Sequence, residues 1–189
     1  MPAMQPPHHL IVGGQRSGKS GHAERLALAW QAEAAGREVV VVATAQAWDE
    51  EMRQRIARHQ ADRPVGWRTL EEPLHLSEVL AQEAAPHRLL LVDCLTLWLT
   101  NWLMPIDGQG DLPAWHAERD AVLQTLRRLP STVLLISNEV GWGVIPMSNE
   151  VRAFVDELGR LNQAVARCSG ELTLMVAGQA WTRPVEARA

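Results

Sequence analysis

Eight consecutive residues, Gly13, Gly14, Gln15, Arg16, Ser17, Gly18, Lys19 and Ser20, satisfy the pattern G-x-x-x-x-G-K-[ST]. Residues of these types at this spacing bind polyphosphates. Glycines let the backbone wrap closely, while successive N–H groups and the start of the following helix point at phosphate oxygens. Lys19 then reaches the β/γ oxygens, and the Ser20 hydroxyl reaches a Mg²⁺ ion. An ordinary glycine turn is the plainer reading, but an apolar strand precedes the loop and helix-forming sequence follows it, as a phosphate loop requires. A second oxygen donor, Asp93, ends the apolar run "LLLVD", where a carboxylate binds the metal directly or through water. An aspartate that caps the next segment, "CLTLWLTNWL", is the alternative.

The stretch "ATAQAWDEEMRQRIARHQADRPVGWRTLEE", 43–72, carries a different chemistry. On a helical wheel Met52, Ile56, His59 and Arg63 fall at i, i+4, i+7 and i+11, so His59 shares the apolar stripe and faces inward. Arg55 and Arg63 lie one turn to either side of it, a candidate anion-binding cluster. A neutral imidazole is a good nucleophile at pH 7, its ordinary pKa being near 6.5, and neighbouring arginines lower that further. On the residues alone, a structural core histidine and a nucleophile both stay open.

Positioning these groups requires a scaffold, and the apolar runs supply it. Short valine-, isoleucine- and leucine-rich runs at 10–12, 39–43, 89–93, 132–137 and 172–177 read as buried parallel strands. Helix-length segments separate them, at about 19–35, 49–62, 74–85, 114–129 and 149–168. The alternation predicts an α/β, P-loop NTPase-like three-layer fold with a mostly parallel central sheet. The 189 residues suit a single nucleotide-binding catalytic domain, 1–189, with 1–8 and about 181–189 peripheral. Residues 104–115, with a proline near each end and two glycines between, read as a loop.

Composition narrows the partners. A formal charge of -4, with scattered lysines and arginines, offers no basic tract for nucleic acid or an anionic membrane. Two cysteines, Cys94 and Cys168, make neither a disulfide framework nor a metal-ligand spacing. No apolar run approaches the ~20 residues of a membrane span, and the start lacks a leader pattern, so a cytoplasmic protein is expected. No Asn-Lys-x-Asp guanine-reading motif occurs; the nearest string is "SNEV", 137–140. Eight tryptophans stand beside one phenylalanine and no tyrosine; Trp98 and Trp102, four apart in an apolar helix-like stretch, are candidates for a subunit contact.

Taken together, "GGQRSGKS" (13–20) with "HAE" (22–24), "ATAQAWDEEMRQRIARH" (43–59), "RPVGWRTLEE" (63–72), "LVDCLTLWLTN" (91–101), and "SNEVGWGVIP" (137–146) with "NQ" (162–163) resemble the bifunctional adenosylcobinamide kinase / adenosylcobinamide-phosphate guanylyltransferase family. Order and spacing hold from residue 10 to about 178. The departures are an N-terminal extension, "GVIP" in place of an isoleucine-valine order, and the 104–115 loop. The resemblance implies a cytoplasmic, homotrimeric enzyme of cobalamin nucleotide-loop assembly. It phosphorylates adenosylcobinamide with ATP or GTP, then transfers GMP from GTP to the phosphate through a guanylyl-histidine, with Mg²⁺ as cofactor.

The same resemblance makes His59 and Lys19 catalytic. It places the nucleotide on 13–20, Ala43, Thr44, Ala45, Gln60, Ala61, Asp62, Arg63, Glu71 and Asp93, with Ser20 and Asp93 holding the metal. For Glu71 a structural or ribose-contacting role stands beside that of a kinase base. Two competing readings are a single-activity small-molecule kinase with a structural His59, and a nucleotide-binding regulator without turnover. The loop 138–146 is left outside the site.

Overall fold

The computed structural model describes residues 8–186 except Trp48 and Asp62, and, within the second helix, no side chain at 55, 56 and 58–61. In chain order the elements are β1 (His9–Gly13), α1 (Lys19–Ala32), β2 (Glu38–Ala43), α2 (Glu50–Ala61), β3 (Arg68–Glu71), α3 (Leu76–Glu83), β4 (Arg88–Asp93), α4 (Leu95–Leu103), α5 (Leu112–Leu126), β5 (Thr132–Asn138), α6 (Asn149–Ala166), β6 (Glu171–Val176) and β7 (Gln179–Pro184). They build an α/β fold around one seven-stranded sheet, ordered β3-β2-β4-β5-β1-β6-β7. Every neighbouring pair is parallel except β6 with β7.

The continuous apolar runs are explained by burial on both faces. Leu10, Val12, Val40, Val42, Leu90, Val92, Val133 and Leu135 join one core with Leu76, Leu80, Trp98, Trp115 and Leu158 of the helices. Their alternates, Ile11, Val39, Val41, Leu89, Leu91, Leu134 and Ile136, pack on Ala23 and Ala27 of α1. A strand clothed on both sides has no solvent face to mark with polar residues.

Five of the seven strands coincide with those runs. The other two, β3 and β7, are the sheet's edges: each has a single partner strand, and β7 is exposed along its whole length. The C-terminal tail therefore begins as a strand, with residues 181–184 hydrogen-bonded to β6. His8, expected at the periphery, is 2% exposed, its Nε2 bonded to the Leu126 carbonyl at 2.6 Å. The loop expected over 104–115 ends sooner, because Asp111 caps α5 through the Ala114 N–H and Pro113 fits the first turn.

Trp98 is corrected from subunit contact to core residue. It is fully buried within the chain, edge-on to Trp115 at 4.7 Å, and its indole N–H donates to the Leu74 carbonyl. Both cysteines are buried free thiols. Among the described residues no helix is long and apolar enough to cross a membrane.

Candidate active site

Because β1 to β5 are parallel, their carboxyl ends meet at one edge of the sheet, where open α/β sheets place ligands. A cavity of about 720 Å³ lies there, walled by Ala43, Glu71, Asp93 and Asn138 from the ends of β2, β3, β4 and β5, and by Gln15 and Ser20 from the glycine loop. Asp93 stands two strands from the loop, with β5 between β4 and β1.

The loop geometry requires its glycines at two points. A Cβ on Gly13 would lie 2.4 Å from the Met175 carbonyl oxygen and 2.7 Å from the Ser17 hydroxyl. Gly18 has φ +97°, a left-handed conformation that turns the chain into α1. The turn between β6 and β7 braces the loop, with the Gly178 N–H donating to the Ser17 carbonyl at 3.0 Å. Lys19 is buried, and its Nζ donates to the Gly14 carbonyl at 2.6 Å. The Ser17 hydroxyl is buried with no hydrogen-bond partner among the described residues.

The second wall is held from beneath by Thr44, a predicted nucleotide contact that the structure places elsewhere. Thr44 is fully buried; its hydroxyl donates to the Cys94 carbonyl at 2.7 Å and accepts from the Cys94 N–H at 3.0 Å. Its own N–H donates to the Asp93 carbonyl, and Asn101 Nδ2 donates to the Thr44 and Pro73 carbonyls. Thr44 thus fixes the backbone at Asp93, while its neighbours Ala43 and Ala45 border the cavity.

Arg63 also borders the cavity, but not from the helical stripe. Helix α2 ends at Ala61, so Arg63 lies beyond it, half-buried, with Nη1 donating to the Thr69 hydroxyl. Burial draws its pKa below the ordinary arginine value, against the opposing charges of Asp93, Glu24 and Glu71. A cation thus stands in an acidic wall. Cys94, beside Asp93, is inert: burial first, and then the Asp93 charge, push its thiol up to about 11.

Position 59 lies on α2, and the His59 side chain falls outside the described ones, as do those of Gln60 and Ala61, and all of Asp62. Met52, Arg53 and Ala57 of that helix line the cavity. Gln46 and Asn138 also line it and were missed from sequence. Asn138 carries the same signal as Asp93, a polar residue closing an apolar strand, but it also opens the glycine-containing segment 138–146, whose composition is that of a connecting loop.

A glycine loop between a buried strand and a helix, facing a strand-end carboxylate across a cavity at the carboxyl edge of a parallel sheet, defines a P-loop nucleotide-binding protein of NTPase-like fold. The family model described as "Cobinamide kinase / cobinamide phosphate guanyltransferase" (CobU) matches residues 9–182. The bifunctional adenosylcobalamin biosynthesis protein CobP of Pseudomonas aeruginosa is 53% identical over 169 residues, covering 89% of this chain and 92% of that one. The bifunctional adenosylcobalamin biosynthesis protein CobU of Escherichia coli is 37% identical over 178 residues, covering 89% and 95%; that of Salmonella typhimurium is 36% identical over 178 residues. The chain belongs to the CobU family, an enzyme family of cobalamin biosynthesis with kinase and guanyltransferase activities.

Proposed function

We propose that both transfers take place in this one cavity. Adenosylcobinamide is first phosphorylated on its aminopropanol hydroxyl by ATP or GTP, and GMP is then moved from GTP to that phosphate through His59. The observation that carries this reading is the shared cavity: Ser20 of the phosphate loop and Met52 and Ala57 of α2 border it together. Position 59 lies seven residues, roughly two helical turns, beyond Met52 on the same helix.

In the guanylyl step an unprotonated imidazole nitrogen of His59 attacks the α-phosphorus of GTP. A P–N bond forms and the bond from that phosphorus to the pyrophosphate oxygen breaks. An oxygen of the cobinamide phosphate then attacks the same phosphorus, and the P–N electron pair returns to the imidazole. Two displacements replace one difficult encounter between anions. The loop N–H groups, Lys19 and Arg63 hold the phosphates and offset their charge, and the Ser17 hydroxyl, which has no partner among the described residues, suits a phosphate oxygen. The Ser20 hydroxyl and the Asp93 carboxylate, hard oxygen donors on one cavity, fit Mg²⁺. Bound there, the ion would supply further neutralisation of phosphate charge.

We assign the protein to the cytoplasm and to a homotrimer. Trp142, Val144, Ile145 and Met147, each at least 70% exposed in one short segment, supply apolar surface for contact between copies; sedimentation of the full chain reads the stoichiometry.

The test of the function is covalent labelling. With α-labelled GTP and no cobinamide, the protein should gain one GMP, release pyrophosphate, and lose the label in acid while holding it in alkali. His59→Ala should abolish labelling and guanylyl transfer yet keep much of the adenosylcobinamide phosphorylation. Labelling of His59→Ala at the wild-type level would sink the assignment.

A further inference from the structure

We propose that the Asn138 carboxamide donates a hydrogen bond to a phosphate oxygen of the nucleotide, between the glycine loop and Asp93. The inference rests on the nucleotide-transfer reading above and adds a phosphate-binding residue to it. In the sheet β5 lies between β1, which leads into the loop, and β4, which ends at Asp93. Asn138 ends β5, borders the cavity, and is therefore the strand-end residue between the two groups that grip a triphosphate.

Its backbone is fixed from three directions. The Asn138 N–H donates to the Thr96 hydroxyl of α4 at 2.9 Å, and its carbonyl accepts from Asn162 Nδ2 of α6 at 3.1 Å. The next N–H, of Glu139, donates to the Gly13 carbonyl at 3.1 Å, which ties this corner to the base of the glycine loop. Asn162 also donates to Glu139 Oε1 at 3.2 Å and so tethers that carboxylate to α6. Thr96 and Asn162 are themselves buried. By contrast, the Asn138 carboxamide has no hydrogen bond to any described residue, although the residue is half-buried. A polar side chain held in place by its backbone and left unpaired at a cavity wall is arranged for a ligand. The ligand chemistry follows from the charges: Glu71 and Asp93 already make this wall acidic, and a neutral amide offers an N–H to an anion without adding repulsion.

The experiment compares wild type, Asn138→Ala and Asn138→Asp as full-length chains, with Mg²⁺ present, by equilibrium binding of GTP and of inorganic tripolyphosphate. Thermal midpoints should stay at the wild-type value, because every bond that fixes residue 138 goes to its backbone. Asn138→Ala should weaken both ligands about tenfold, the value of one hydrogen bond to a charged group, and Asn138→Asp should weaken both further. Unchanged affinity for both ligands overturns the proposal, as does loss for GTP alone, which would place the contact on base or ribose. If Asn138→Asp lowers the midpoint, Asn138→Ser replaces it, with the same expectation as the alanine variant. A wild-type chain that binds both ligands but transfers no GMP would defeat the functional reading, while the two affinities would still decide the role of Asn138.

Discussion

Lys19 is a cation withdrawn from solvent at the root of the phosphate loop, 2.6 Å from the Gly14 carbonyl. In such a site its charge acts on a bound phosphate with little screening, so its removal should fall on catalysis. Lys19→Ala is expected to reduce both phosphorylation and guanylyl transfer by about 10²–10³-fold or more, with the urea midpoint little changed, since its ammonium contributes no apolar packing. Steady-state rates beside an unfolding curve check this; full kinase turnover in that variant would separate the two activities into two nucleotide sites. Arg63 is cationic throughout the working range, as a guanidinium is, which leaves a second positive charge in the cavity when Lys19 is gone. Cys94 offers no substitute nucleophile: with its thiol pushed up to about 11 it is neutral throughout the working range. The histidine variant should therefore show no residual label on sulfur.

At the scale of elements, the site depends on how β2 and β4 are joined beyond their ladder. One threonine hydroxyl both donates to and accepts from the Cys94 backbone, and Asn101 of α4 closes the arrangement over the Thr44 carbonyl. Thr44→Val keeps the shape but leaves the buried Cys94 N–H unpaired, while the Cys94 carbonyl keeps the Trp98 N–H as its donor, a loss of about 1–3 kcal/mol, reduced by whatever relaxation the backbone allows. The melting temperature should fall, and Mg²⁺-dependent turnover with it as Asp93 loses its support, while tripolyphosphate affinity in the folded protein changes less. Loss of affinity with no loss of stability would restore Thr44 as a direct nucleotide contact. The same region shows what the sequence could and could not disclose. Buried central strands betray themselves through runs such as "VVVVA" and "LLLVD", and a phosphate loop through its glycines. Edge strands do not: "RTLE" and "QAWTRP" mix polar and apolar residues because only one side of each is paired. Thr44 sits beside two cavity residues in the chain, yet just past the end of β2 its hydroxyl turns inward onto the Cys94 backbone. Arg63 fell on a helical stripe only as long as the helix was imagined to continue past Ala61. Asn138 closes an apolar run as Asp93 does, but its place between the glycine loop and Asp93 follows only from the strand order.

The whole molecule is pinned just before β1 by His8, which reaches across to Leu126, the last residue of α5. A carbonyl can only accept, so the ring donates Nε2–H to Leu126, and Nδ1 is left buried with no partner among the described residues. Protonation would put an N–H on that nitrogen with nothing to receive it. Burial accordingly lowers the His8 pKa from 6.5, against the smaller opposing pull of the Leu126 hydrogen bond. His9 and His22 are lowered as well, in each case chiefly by burial. For a base whose folded pKa is depressed, the unfolded chain takes up the proton first, so unfolding is favoured as acid is added. Stability from this source is therefore complete above about pH 6.5, declines as pH falls through that value, and levels off only below the folded pKa. The urea midpoint of wild type should drop between pH 7.5 and pH 5.5. In His8→Gln, whose amide can still donate to Leu126 but does not titrate, the drop should be smaller. Equal slopes in the two proteins would mean that His8 does not set the acid limit of this fold, and would leave His9, held between Glu171 and Thr173, as the next group to replace.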